Sequence, residues 1–135
     1  MTKACEDYIE TIHVLIQERG CARVSDVAEA LNVKMPSVVK ALGELKKLGL
    51  VAQEPYGNIE LLEKGRRCAR LILSRHTLLK AFLLKLGVAS DVADKDACLM
   101  EHILSAATLE RIRDFVGPIT DSELVQKEGS LDEGA

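Results

Sequence analysis

Between Tyr8 and Leu50 the apolar residues recur at helical spacing in three runs separated by turn-forming residues. Tyr8, Ile9, Ile12, Leu15 and Ile16 line one face of a helix expected over residues 4–18, which Gly20 ends. A second helix carries Val27, Ala28 and Leu31, with Ser25 as its expected N-cap and Asp26 in its first turn. Asn32 then turns the chain, because asparagine tolerates the left-handed conformation. Pro36 belongs in the first turn of a third helix, with Val38, Val39, Leu42 and Leu45 as its buried stripe. After Leu50 the period changes. Residues 51–54 and 59–61 read as two short strands around the turn Pro55-Tyr56-Gly57-Asn58. Helical spacing returns from Glu63 to Leu86, where Leu71, Ile72, Leu78, Leu79, Phe82, Leu83 and Leu86 form an apolar side and Gly87 the stop. That helix is on the order of 36 Å long. Ser90 is the expected cap of a helix from Asp91 to about Leu104, and Ser105 the cap of another that ends at Gly117-Pro118. Residues 120–135 are polar and acidic and are expected to be loosely ordered.

Two short helices around a tight turn, the second with Ser37, Lys40, Lys46 and Lys47 outward against the single acid Glu44, make a helix-turn-helix. The alternative for this stretch alone is an ordinary αα-hairpin. The small hairpin that follows is the place of a wing. The expected fold is therefore mainly α: a winged helix-turn-helix over residues 1–72, then an all-helical part over residues 73–135 with a polar tail. The DNA-contact candidates are Ser25, Lys34, Pro36, Ser37 and Lys40. Arg66, Arg67, Arg70 and Arg75 stud the long helix, either toward phosphates or simply toward solvent.

Charge sharpens this division. The 135 residues carry a formal net charge of −3, yet residues 1–72 hold eleven basic and ten acidic side chains, whereas residues 73–135 hold seven and eleven. The positive surplus accompanies the helix-turn-helix. A nonspecific nucleic-acid binder would be more basic; a binder that neutralises its own acids with a cation need not be. Aromatic residues make up only 3%, so the core must be aliphatic. No apolar run approaches the ~20 residues that span a bilayer, and the N-terminus lacks a signal-peptide pattern, so a cytoplasmic protein is expected. Cys5, Cys21, Cys68 and Cys98 show no paired spacing, which speaks against a disulfide framework or zinc ribbon.

The chemistry concentrates in Cys98-Leu99-Met100-Glu101-His102. On a helix, Cys98 lies one turn below both Glu101 and His102, so sulfur, oxygen and nitrogen donors converge, a set that suits a divalent first-row metal. Three ligands from one helix seldom complete a site. His76, Asp7 and Glu10 are the available further donors, although an acidic pair such as Asp7 and Glu10 also suits a solvated helix face and a lone helical histidine is often structural.

Asp7-Tyr8-Ile9-Glu10-Thr11-Ile12, the run Ala22 to Leu31, Pro36-Ser37-Val38 and Glu101-His102 resemble the diphtheria toxin repressor family, in particular its short manganese transport regulators. The resemblance runs from about residue 4 to residue 116. It implies an N-terminal winged helix, a helical dimerisation domain, a metal site between them, and no third, SH3-like domain in a chain of this length. It assigns Asp7 and Glu10 as carboxylate ligands of the first helix, His76 as the ligand of the long helix, and Glu101 and His102 as the pair near the end of the next. Cys98 departs from the manganese pattern, which has glutamate there, and follows the iron-responsive members. Lys34 replaces a typical capping serine, and Gly43 interrupts the recognition helix. His13 stands where the family favours tyrosine.

The resemblance thus implies a metal-dependent transcriptional repressor, activated by Mn2+ or Fe2+, that binds palindromic double-stranded operator DNA as a homodimer and controls metal-uptake genes. The expected dimer interface includes Met100, Ile103 and Leu104. No membrane association and no enzymatic activity are expected, since no substrate-cleft signature accompanies the donors. The rival readings are a metal-independent winged-helix regulator and a metalloenzyme.

Overall fold

A computed structural model describes residues 1–55 and 57–119. The expectations for Tyr56 and for the tail from Thr120 lie outside the described residues. The chain divides into two compact units, Met1–Ile72 and Leu73–Ala135.

In the first unit, α1 (Lys3–Arg19) starts where the Thr2 side chain accepts a hydrogen bond from the Cys5 backbone N–H, and it stops at Gly20, whose φ of 80° suits a residue without Cβ. α2 (Val24–Leu31) does not begin at Ser25 as expected. Its N-cap is Arg23, whose backbone N–H donates to Asp26 Oδ2 at 3.2 Å, so the acid in the first turn performs the capping. Asn32 adopts the left-handed conformation (φ 54°) and releases the chain into α3 (Met35–Lys47), with Pro36 in its first turn. Val38, Leu42 and Leu45 are buried, but Val39 is 58% exposed. The buried stripe follows the i, i+4, i+7 spacing from Val38, and Val39 lies one residue, about 100° of helix rotation, off that line.

Strands β1 (Val51–Gln53) and β2 (Ile59–Leu61) pair antiparallel, with Val51 opposite Leu61 and Gln53 opposite Ile59. Ile59 N–H donates to the Ala22 carbonyl at 2.8 Å, which ties the hairpin to the start of the helix-turn-helix. α4 (Glu63–Lys85) supplies Ala69 and Ile72 to a core that also holds Ile9, Ile12, Val27, Val38, Leu42, Leu45 and Leu50. Each large aliphatic side chain fully buried there contributes about 1.5–3 kcal/mol.

The second unit contains residues 73–85 of α4, α5 (Ser90–Met100) and α6 (Ala106–Val116). Its core gathers Leu78, Leu79, Ala97 and Leu109, with Met100, Leu104, Ile112 and Val116 packed against them. Phe82 meets Phe115 edge to face at 5.7 Å, and Lys85 Nζ lies 4.9 Å over the Phe115 ring. Ser105 caps α6 as expected, accepting from the Thr108 N–H at 3.3 Å. Three expectations change. Ser90 is the first residue of α5 and is buried, with Ala89 at the N-cap. α5 ends at Met100 rather than Leu104, and a turn follows in which Ile103 N–H and Leu104 N–H both return to the Met100 carbonyl. Leu71 and Leu86, expected on the apolar side of the long helix, are exposed.

Candidate metal centre and DNA-binding surface

The second unit brings His76, Cys98 and Glu101 together. One donor atom from each lies within 4.8 Å of the others. His76 projects from the middle of α4. Cys98 belongs to the last turn of α5, and Glu101 is that helix's C-cap, its N–H still bonded to the Ala97 carbonyl at 3.0 Å. The helical geometry therefore persists just far enough to set Glu101 one turn beyond Cys98. His76 Nδ1 lies 3.1 Å from Glu101 Oε2 and 3.6 Å from Cys98 Sγ. His102 sits in the turn after the helix, with Nε2 3.4 Å from Glu101 Oε1.

Glu101 is 1% exposed, and its Oε1 is buried without a hydrogen bond among the described residues. A buried carboxylate oxygen in that condition is costly unless a further charged partner completes it. Nitrogen, thiolate and carboxylate donors are what a divalent transition metal accepts, so the residues fit such an ion. The hydrogen bond to Glu101 pushes the His76 pKa up to about 9; burial opposes this, and the bond to Asp94 adds to it.

Asp94 escaped the sequence reading. Its Oδ1 lies 2.8 Å from His76 Nε2 and 3.6 Å from Lys80 Nζ. Burial works against ionisation of Asp94, but the His76 hydrogen bond and the Lys80 and His76 charges outweigh it and hold the carboxyl below the usual range. The signal was present in the spacing: Asp94 precedes Cys98 by four, and Lys80 follows His76 by four, so each shares a helix face with a candidate ligand.

Asp7 and Glu10 belong to the first unit. Both lie on α1; Asp7 accepts an ion pair from Lys3 at 3.0 Å, and Glu10 is half-buried. His13, three residues on, lines a cavity of about 330 Å³ with Cys21, Glu60 and Arg66. Desolvation, followed by the Arg70 charge, pulls the His13 pKa down.

The DNA-contact candidates Ser25, Lys34, Pro36, Ser37 and Lys40 are all exposed. Val39 and Met35 join them at the surface of α3. An exposed basic and apolar helix face of this kind can meet phosphates through lysine and thymine methyl groups through valine. Of the arginines on α4, Arg66 and Arg70 are engaged by Glu63 at 2.9 and 3.4 Å, and Arg66 also donates to the Leu61 carbonyl.

A winged helix-turn-helix followed by a helical unit with convergent metal donors defines a class of metal-responsive DNA-binding regulators. The chain matches two family sequence models: the iron dependent repressor N-terminal DNA binding domain over residues 1–59, and the iron dependent repressor metal binding and dimerisation domain over residues 62–126. It is 41% identical over 122 residues to the HTH-type transcriptional regulator MntR of Geobacillus kaustophilus, covering 90% of this chain and 86% of that protein. It is 39% identical over 127 residues to MntR of Bacillus subtilis, covering 94% and 89%. Among solved structures, a manganese-dependent transcriptional repressor in complex with manganese superposes with a TM-score of 0.76 at 29% identity, covering 84% of this chain and 52% of that one. IdeR of T. acidophilum superposes with a TM-score of 0.75 at 27% identity, covering 84% and 54%. The chain thus spans about half the length of those two solved structures. It belongs to the iron-dependent repressor family, alongside the MntR-type regulators.

Proposed function

We propose that this protein is a metal-dependent transcriptional repressor that binds double-stranded operator DNA as a homodimer when loaded with Mn2+ or Fe2+. The observation that carries the reading is the convergence of His76, Cys98 and the buried Glu101 in a chain that also exposes a basic recognition helix. His102 stands next to this cluster, and Asp7 and Glu10 of α1 complete the proposed donor set. A bound divalent cation supplies the positive charge that offsets these carboxylates.

The chain's own residues then account for the regulation. Asp7, Glu10 and Glu101 accumulate negative charge, whose mutual repulsion disfavours the DNA-binding arrangement until it is neutralised. Ser37 and Lys40 meet DNA, and the two recognition helices of a dimer read the half-sites of a palindrome. Met35 and Val39 add apolar contact on the same face. In the second unit Leu86, Val92, Leu99, Ile103 and Phe115 are large apolar side chains left exposed, and Ile103 reaches 75%. They are the proposed material of the dimer interface. Met100 and Leu104, expected at that interface, are half-buried and pack in part against their own unit's core. No helix among the described residues is long and apolar enough to cross a membrane; we place the protein in the cytoplasm, controlling metal-uptake genes. Metal and DNA must raise each other's affinity by the same factor.

The test is DNA binding to a metal-transporter promoter measured across a series of divalent metals. Mn2+ and Fe2+ are expected to tighten binding, with manganese slightly favoured because three carboxylates outnumber one thiolate. An affinity that no metal changes would leave a metal-independent regulator.

A further inference from the structure

Gly43 stands in the interior of α3, which runs on to Lys47. Glycine inside a helix costs stability relative to alanine, and it is kept where a left-handed backbone, crowding or the close approach of another molecule requires it. The first two reasons fail here. The φ of Gly43 is not positive; among the described residues the positive-φ glycines are Gly20, Gly49, Gly87 and Gly117. Nor is the position crowded, because a Cβ at Gly43 would meet nothing within 4 Å, its own helix backbone aside.

The third reason remains, and the place of Gly43 on the helix supports it. Val38, Leu42 and Leu45 mark the buried side of α3. At about 100° of rotation per residue, Gly43 lies on the opposite side, in line with Pro36, Lys40 and Lys47. Those three are exposed and Gly43 is half-buried. Glu44, the one acid of the helix, leans toward α1, with Oε2 3.8 Å from Cys5 Sγ. The outward side of α3 therefore carries a notch floored by backbone, with a lysine one turn away in each direction.

We propose that Gly43 is the point of closest approach between α3 and DNA, where the sugar–phosphate backbone of one strand seats in the notch between Lys40 and Lys47. The inference deepens the DNA-binding reading proposed above and rests on it.

The first residues of a recognition helix reach base edges. Gly43 lies about two turns beyond that end, where a helix leaving the groove passes the flanking strand. Any side chain there would hold the strand off by at least the width of a methyl group. Glycine lets the helix backbone touch the sugar, while Lys40 and Lys47 meet phosphates on either side. Contacts of this kind set the depth and angle at which the helix docks and carry no sequence information themselves. Helix stability is lost at Gly43 and depth of docking is gained.

The experiment compares the full chain with Gly43→Ala and Gly43→Leu in saturating Mn2+. Fluorescence anisotropy is measured on a metal-transporter promoter duplex and on a scrambled duplex, beside thermal melts. Alanine and leucine are better helix formers than glycine, so both variants should melt at or above the wild-type temperature. Both should nevertheless bind DNA more weakly. Gly43→Leu is expected to lose roughly 5–150-fold in affinity, the range that forcing extra methylenes into a close contact generally costs. Gly43→Ala should lose less, in the same direction. The loss should be alike on both duplexes and the salt slope unchanged, since no lysine is removed. Undiminished affinity in both variants, a lowered Tm accompanying the lost affinity, or a loss confined to the promoter duplex would each overturn the proposal. A wild type that binds neither duplex would overturn the DNA-binding reading along with it, whereas wild-type binding that both variants match would overturn the close approach alone.

Discussion

His76 Nδ1 stands 3.1 Å from Glu101 Oε2 although 25 residues separate the two in sequence. The pair is short enough to hold a proton between a histidine and a buried carboxylate, and the Glu101 bond is the main reason the His76 pKa rises to about 9. A metal ion at the proposed centre would compete with that proton for Nδ1. Metal binding should release at least that proton at neutral pH, so Mn2+ affinity should climb with pH by up to roughly tenfold per unit below pH 9. The metal-free protein should show the opposite sign. The stabilisation from protonated His76 is complete below the unfolded histidine value of 6.5 and fades as pH rises through about 9. Calorimetry in buffers of different ionisation enthalpy counts the released protons; a count of zero at pH 7 would remove His76 Nδ1 from the ligand set.

Cys98 Sγ, 3.6 Å from His76 Nδ1, faces the cluster. If the thiolate ligates, cobalt(II) bound to the protein should show a strong thiolate-to-metal charge-transfer band that Cys98→Ser lacks. Cys98→Glu should remove the same band and sharpen the preference for manganese over iron, since it exchanges a soft donor for a hard one. Identical cobalt spectra for wild type and Cys98→Ser would show that the sulfur stays out of the coordination sphere.

On the recognition helix, Lys40 and Val39 are adjacent and both exposed, and they should separate by type of contact. Lys40→Ala should weaken binding to all DNA sequences and reduce the salt slope by about one. Val39→Ala should leave folding stability within about 0.5 kcal/mol, as for other surface positions, while relaxing sequence preference at a thymine it covers. Fluorescence anisotropy on operator and scrambled duplexes at several salt concentrations distinguishes them.

What the sequence made legible was local. Asn32, Pro36 and the Val38–Leu42–Leu45 stripe declare a turn and a helix face within a few residues of one another, and the structure has each of them where the periodicity puts it. The end of α5 was not legible, because Ile103 and Leu104 continue the apolar rhythm and neither glycine nor proline marks the stop at Met100. Cys98-x-x-Glu101 was readable as a donor pair because the two are neighbours on one stretch of chain, whereas the spacing of Asp94 to Cys98 acquires meaning only when α4 and α5 pack side by side and Asp94 meets His76. Val39 shows the resolution limit of a hydrophobic pattern: one step along a helix separates buried from exposed.

Gly43 and Gly65 both sit inside helices, yet their replacement by alanine should have opposite effects. Around Gly43 a Cβ would meet nothing within 4 Å, so Gly43→Ala should stabilise by about 0.5–1 kcal/mol through helix propensity. At Gly65 a Cβ would lie 2.1 Å from the Leu50 carbonyl oxygen, a backbone atom that cannot step aside cheaply. Gly65→Ala should therefore destabilise by about 1–3 kcal/mol, as overpacking generally does. Thermal melts of the two variants beside wild type test the pair, and a rise in Tm for Gly65→Ala would mean the start of α4 yields more easily than its contact with Leu50 allows.

Glu101 is 1% exposed, and its Oε1 accepts no hydrogen bond among the described residues. An unpartnered buried oxygen costs stability, and a cation at the proposed centre would offset that cost. A ligand that binds only the folded state stabilises it by RT ln(1 + [L]/Kd), about 2.7 kcal/mol at a hundredfold excess over Kd. Mn2+ should therefore raise the Tm of wild type by an amount that grows with the logarithm of its concentration. Glu101→Gln keeps the size and most of the shape of the side chain but removes the charge. It should abolish most of the metal-dependent increment, and the metal-free variant should melt below wild type at neutral pH because His76 loses the carboxylate that holds its proton. Melting curves at increasing Mn2+ for both proteins decide the matter. An equal metal-dependent shift in both would place the ion elsewhere and leave Glu101 as a structural partner of His76.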